Sequence, residues 1–159
     1  MESKSSQSHP GIRLGSRNDK KAIEEDQVFA PKFDASGLIP ALAMDAVTKE
    51  PLMLAYMNEK SLLMTLELGE AVYYSRSREE IWHKGATSGH VQKIVDIRTD
   101  CDQDALILYV TQLGEGACHT GRSSCFYRSV DPESSKDPVA LKFREAELSF
   151  DPESVYGKQ

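Results

Sequence analysis

The sequence predicts a strand-rich α+β domain, and three observations carry that expectation. Short apolar segments rich in Val, Ile, Leu and Tyr recur between polar turns, at strand length and composition. One segment alone combines helical spacing with a start and a stop signal. The chain has 159 residues, 40% of them hydrophobic, which is enough for one core.

Along the chain, residues 1–27 contain Ser, Lys and Arg but no apolar stretch of a secretory signal, and Glu2 and Asp19 interrupt a faint likeness to a transit peptide. So few apolar residues cannot offset the entropy of ordering, and residues 1–30 are expected to be a disordered extension. The first apolar pattern begins near Val28 and Phe33. The runs IPALAMDAV and PLMLAYM, separated by Thr48-Lys49-Glu50-Pro51, read as a hairpin of strands. Asn58 then offers a helix N-cap, Glu59 stands in the first turn, and Leu62, Leu63 and Leu66 recur at helical spacing. Gly69 supplies the stop, giving a helix of about ten residues. AVYYSR is a strand, REEIWHKGATSGH a polar loop, and VQKIVDIR and ALILYVTQL two further strands. ALILYV is apolar on both faces, so both should be covered, by the chain's own helix or by a second subunit. The domain is expected over residues 31–130. Beyond it a polar tail, 131–159, carries D-P-E-S twice, at Asp131 and Asp151, as a turn signal rather than a repeat.

Whole-chain properties narrow the function. The net charge is −6 and no basic block or basic helix stripe appears, so coating a nucleic acid has no electrostatic support. No apolar run approaches the roughly 20 residues that cross a bilayer. A cytoplasmic protein with a small-molecule substrate or a protein partner, and no membrane association, is the expectation. Three cysteines form an odd set, which in a reducing compartment suggests metal ligands or a nucleophile before disulfides.

The stretch T-D-C-D-Q-D-A places Asp100, Asp102 and Asp104 on alternate residues. On an extended chain they project to one face, roughly 7 Å apart, with Cys101 on the other. Such carboxylates repel unless a cation sits among them, and an all-oxygen set suits a hard ion such as magnesium or calcium. An EF-hand loop is excluded, because its sixth and twelfth positions are Ala105 and Thr111 rather than Gly and Glu. A solvated acidic turn without an ion is the plain alternative.

Cys118 lies in G-E-G-A-C-H-T-G and Cys125 in R-S-S-C-F-Y-R, seven residues apart, with Cys101 seventeen residues before Cys118. Three thiolates can hold zinc with one position open, the mark of a catalytic site; three inert buried thiols fit the spacing equally well. His119, adjacent to Cys118, is placed better for proton transfer than for binding the same ion. Trp82, Lys84, Gly85, Thr87, Ser88 and His90 combine an aromatic plane, a cation, hydroxyls and backbone N–H groups. That set suits a stacked base and a phosphate, or a plain surface loop. Arg76 and Arg78 read as phosphate partners or as solvated strand-end charges.

Taken together, M-L-A-Y-M-N, Y-S-R-S-R, W-H-K-G-A-T-S-G-H, D-C-D-Q-D-A and A-C-H-T-G-R-S-S-C-F-Y-R closely resemble the phosphoribosyl-AMP cyclohydrolases, over about residues 38–128. The resemblance implies hydrolysis of the N1–C6 bond in the adenine ring of 1-(5-phosphoribosyl)-AMP. The product is the formimino-aminoimidazole-carboxamide ribotide, at the third step of histidine biosynthesis. It implies zinc on Cys101, Cys118 and Cys125, with one cysteine contributed across a homodimer interface, and magnesium on Asp100, Asp102 and Asp104. It sharpens the fold to a pseudo-barrel capped by a helix, as an intertwined homodimer. Zinc-activated hydroxide would attack C6. His119 is then the proton carrier and His90 a second candidate. Trp82, Lys84, Gly85, Thr87, Ser88, Arg76 and Arg78 are the substrate-binding candidates. The 29 residues after Val130 are fewer than the fused pyrophosphohydrolase domain of many relatives, so a single activity is expected. A structural zinc-binding interaction module is the alternative, disfavoured by the missing fourth ligand. A zinc nucleobase deaminase would need H-x-E and P-C-x-x-C signatures, which are absent.

Overall fold

In the computed structural model, which describes residues 11–114, 116–133, 137–145 and 150–156, eight strands and three helices follow one another. They are α1 (Lys20–Glu25), β1 (Ile39–Asp45), β2 (Pro51–Met57), α2 (Glu59–Leu68), β3 (Val72–Ser75), β4 (Glu80–His83), β5 (Gln92–Thr99), β6 (Leu106–Gln112), β7 (Arg128–Val130), β8 (Leu141–Phe143) and α3 (Pro152–Tyr156). Residues 1–10 of the expected extension, and 134–136, 146–149 and 157–159 of the expected tail, lie outside the described residues.

Six strands form one sheet in the order β4-β3-β2-β1-β6-β5, antiparallel except where β1 runs parallel to β6. The hairpin β1–β2 pairs Ile39 with Met57 and Ala41 with Ala55. Its turn is set by Asp45, whose Oδ1 accepts the N–H groups of Val47 and Thr48 at 2.9 and 2.8 Å. These bonds, led by that from Thr48, hold the Asp45 carboxyl below the ordinary carboxylate range. Alternate residues Ile39, Ala41 and Ala43 of β1 and Leu106, Leu108 and Val110 of β6 point into the core with Met53, Met57 and Tyr73.

α2 forms where the local signals place it. Asn58 Oδ1 accepts the Ser61 N–H at 2.8 Å and Ser61 Oγ accepts the Asn58 N–H at 2.9 Å, a reciprocal cap. Gly69 ends the helix in the left-handed conformation at φ 68°. Leu62 joins the core and Leu66 packs against it. Thr65 Oγ1 accepts the Val72 N–H at 3.0 Å and lies 2.9 Å from the Ser61 carbonyl, so a buried hydroxyl ties the helix to β3.

The sheet curls into a half-barrel. Just before β3, the Ala71 N–H reaches the Gln92 carbonyl at 2.9 Å and the Gly69 carbonyl accepts the Ile94 N–H at 2.9 Å. The inner strand β3 thus meets the edge strand β5 from the far side of the sheet.

One expectation is corrected here. The polar stretch 78–90 is not a continuous loop: Glu80–His83 pair with β3 in the register Tyr73↔Trp82 and Val72↔His83. Ile81 and Trp82 have strand preference, and Glu79 at φ 54° makes the tight turn that brings them back. The second face of ALILYV is not sealed by helix: Ile107 and Tyr109 are half-buried, and the Tyr109 ring lies under the Lys49 and Arg98 cations, each 4.6 Å from its centroid.

No helix among the described residues is long and apolar enough to cross a membrane. Residues 11–33 run beside the acidic stretch, held by bonds described below. β7, at the end of the domain, and β8, in the tail, form a separate two-stranded sheet, and Phe150 is buried against the loop that bears Cys118.

Candidate active site

The loop after β6 brings two thiols together. The Cys118 N–H donates to the Arg122 carbonyl at 3.1 Å and the Gly121 N–H to the Cys118 carbonyl at 3.0 Å, forming a tight turn around His119 and Thr120. Farther on, the Cys125 N–H donates to the Leu52 carbonyl at 2.7 Å and Ser124 Oγ to the Pro51 carbonyl at 2.6 Å, so β2 fixes the second thiol. The two side chains share a hydrogen bond, and Cys118 Sγ lies 3.0 Å from Thr120 Oγ1. The Cys125 thiol donates, with Thr120 adding to it against the cost of burial, and this pushes Cys118 down to about 5; the same bond and burial push Cys125 up. Cys118 is therefore the more acidic of the two thiols.

Lys84 belongs to this pair. It is only 3% exposed. Burial pushes its ammonium below its ordinary value while the charges of Cys125 and Cys118 work the other way. Its Nζ lies 5.6 Å from the Trp82 ring centroid. The turn that buries it needs Gly85, at φ 83°, because a Cβ there would stand 2.2 Å from the Val91 nitrogen. Trp82 itself is 38% exposed, its ring centroid 5.7 Å from that of Tyr73.

His119 is exposed beside Cys118, whereas His90 is 6% exposed, with its ring edge-on to Phe150 at 4.6 Å. Thr87 is exposed, and Ser88 Oγ accepts the His90 N–H at 3.3 Å. Arg76 lies 4.0 Å over the Tyr56 ring, and Arg78 is 4.0 Å from Glu80, both in solvent.

The aspartates gather by a different route from the one expected. Asp100–Asp104 are not an extended strand: they make the turn between β5 and β6, with Gln103 at φ 59°. The bend draws their oxygens to within 4.8 Å of one another instead of leaving them in a row. Asp100 Oδ1 accepts the N–H groups of Asp104 and Ala105 at 3.0 and 3.2 Å. Although desolvation opposes it, the bond from the Asp104 carboxyl, with these two, holds Asp100 below the ordinary carboxylate range. Asp104 is pushed up to about 6 by its hydrogen bonds to Asp100 and then Asp102. Carboxylates this close share a proton when no cation is present. The donor set, all oxygen, fits a hard divalent ion.

Cys101, exposed on this turn, does not complete a ligand set with Cys118 and Cys125 inside one chain. Among the described residues, the group of three or more metal-binding side chains that gathers is Asp100, Asp102 and Asp104.

Some participants are not signalled by the sequence pattern. The Tyr73 hydroxyl donates to Gln92 Oε1 at 2.6 Å, and Gln92 Nε2 donates to Gln112 Oε1 at 3.0 Å; Gln112 Nε2 in turn donates to the His90 carbonyl at 2.8 Å. This buried relay runs from β3, next to the thiols, to the loop of His90. Its one sequence cue is Gln92, a polar residue at an inward position of a strand.

Comparison with known proteins follows the same residues. The family model described as phosphoribosyl-AMP cyclohydrolase matches residues 53–127. The chain is 54% identical over 136 residues to the phosphoribosyl-AMP cyclohydrolase of Rhodopseudomonas palustris (strain TIE-1), covering 86% of this chain and 89% of that one. The protein of the same name from Brucella anthropi is 56% identical over 126 residues, 79% of this chain and 89% of the relative. For that of Bradyrhizobium diazoefficiens the identity is 52% over 136 residues, 86% and 95% of the two chains. The chain belongs to the phosphoribosyl-AMP cyclohydrolase family.

Proposed function

We propose that this chain hydrolyses the N1–C6 bond of the adenine ring in 1-(5-phosphoribosyl)-AMP, in histidine biosynthesis. Cys101, Cys118 and Cys125 hold zinc, the first from one copy of a homodimer and the other two from its partner. Asp100, Asp102 and Asp104 hold magnesium. The observation that carries this reading is the Cys118–Cys125 pair, brought together by the turn around His119 and by β2, with Lys84 buried nearby. Two soft donors so placed suit zinc, and the hard oxygen cluster suits magnesium. Zinc supplies the Lewis acidity that lets water ionise near neutral pH.

The chain's own groups do the rest. N1 substitution gives the ring amidinium character, so C6 is the electrophile. One water is consumed: its oxygen stays on C6, which becomes the carboxamide carbon, one of its protons goes to N1 as the C–N bond breaks, and the other is released as the amidinium charge is lost. His119, exposed beside Cys118, carries the proton that reaches N1. His90, packed against Phe150, holds its loop. Trp82 offers a partly open ring face for the base. Gly85, Thr87 and Ser88 shape the loop below it, and the exposed Arg76 and Arg78 meet phosphate. Lys84, being buried, offsets thiolate charge. The odd thiol count suits the reducing cytoplasm.

Co-expression tests the shared site. Cys101→Ser and Cys125→Ser chains are each inactive, but a mixed dimer keeps one intact site, restoring about a quarter of wild-type activity in a statistical mixture. No restoration would mean that one chain supplies all three thiols.

A further inference from the structure

The turn that bears the three aspartates is anchored from outside itself. Gln103, at its apex, is 4% exposed and adopts φ 59°, a left-handed conformation that a residue with a side chain holds only when its surroundings over-determine it. Its Oε1 accepts the Ala30 N–H at 2.8 Å and its Nε2 donates to the Ile23 carbonyl at 2.8 Å, with the Val28 carbonyl at 3.4 Å. Its backbone carbonyl accepts the Lys32 N–H at 2.7 Å. The Arg17 guanidinium donates to the Asp102 carbonyl at 2.9 Å and also to the Ala30 carbonyl. All these partners lie in residues 17–32, ahead of the first core strand. Between this strap and the turn runs a cleft of about 480 Å³ whose lining includes Ile23, Phe29, Asp100, Cys101 and Gln103.

We propose that Gln103, together with the strap it grips, is a positioning element for the divalent cation of the acidic turn. The inference rests on the reading above that the turn binds such an ion. Asp100 and Asp104 are joined by bonds inside the turn, whereas the Asp102 carbonyl and the side chain and carbonyl of Gln103 are held from the strap. Magnesium demands near-octahedral oxygens, so a turn free to open at its apex spreads the ligands and loses the ion. Residues that orient ligands in this way carry metal affinity without touching the metal. Because Cys101 lies on the same turn, the strap orients that thiol as well.

The test measures Mn²⁺ binding to the full-length protein by loss of the free-ion electron paramagnetic resonance signal, with circular dichroism on every variant. Gln103→Ala is expected to weaken Mn²⁺ about 10- to 100-fold with secondary structure retained. Arg17→Ala weakens it in the same direction by less, and Arg17→Lys, which keeps a donor for the Asp102 carbonyl, recovers most of that loss. Asp102→Asn is the control for the site itself. If Asp102→Asn binds Mn²⁺ as wild type does, the cation reading fails. If Asp102→Asn loses the ion while Gln103→Ala and Arg17→Ala bind normally, the strap merely tacks the chain end down and the inference is overturned. Should Gln103→Ala not fold, the Arg17 pair decides.

Discussion

Asp104 and Cys118 are displaced in opposite directions by neighbours of their own kind: one carboxyl is pushed up to about 6 by two others, one thiol down to about 5 by a second thiol. Each displacement means a cluster holding a proton where a cation fits. For the carboxyls the sign is plain. Below pH 6 a divalent ion must expel the Asp104 proton, whereas above it no proton competes. Mn²⁺ affinity is therefore flat above pH 6 and falls about tenfold per unit below it, for one proton displaced per ion. A titration from pH 4.5 to 8 that shows no break near 6 would contradict the shared proton. Lys84 acts at the other cluster. Its burial costs it stability as a cation, which the thiolate charge offsets. In Lys84→Met that thiolate loses its counter-charge, and zinc affinity in competition with a chelator should drop about tenfold or more, as for other groups that tune metal ligands. Unchanged zinc affinity with weakened substrate binding would instead make Lys84 a phosphate partner.

Among the elements, α2 was the most legible in the sequence, because its signals are local. Asn58 and Gly69 both act within a turn of the helix they bound. Asn58→Ala removes the reciprocal cap with Ser61 and is expected to cost about 1 kcal/mol of stability, read as a lower urea midpoint with unchanged slope. The four long strands were legible for a similar reason, their alternation or apolar runs being intrinsic. β4 was hidden, since Glu80–His83 looks polar until β3 pairs with it and Trp82 meets Tyr73. The acidic turn was legible in composition but not in shape. Alternate aspartates suggest a strand face, and only the left-handed Gln103, held by chain some 75 residues earlier, folds them together. The strap escaped notice because, Arg17 apart, the groups it offers to the turn are backbone N–H and carbonyl groups, which leave no residue pattern. The same holds for Cys125, placed by hydrogen bonds to the backbone of β2.

At the scale of the molecule, the curled sheet places the two clusters on different elements. The thiol pair lies in the loop after β6 against β2, and the acidic turn joins β5 to β6 under the N-terminal strap. Several apolar residues stay open, Leu54, Val95, Phe126, Val130, Leu141 and Phe143 among them. In the proposed homodimer a second copy covers them and lends Cys101 to the thiol pair. On that proposal catalysis depends on zinc held between copies, and removing that ion should abolish turnover without unfolding the half-barrel. The most direct measurement follows ring opening of phosphoribosyl-AMP by ultraviolet absorbance, using protein loaded with zinc and magnesium beside a zinc-chelated sample. The account predicts turnover in the first and none in the second, restored when zinc is added back. Zinc bound at the thiols with no ring opening, or turnover indifferent to chelation, would contradict it.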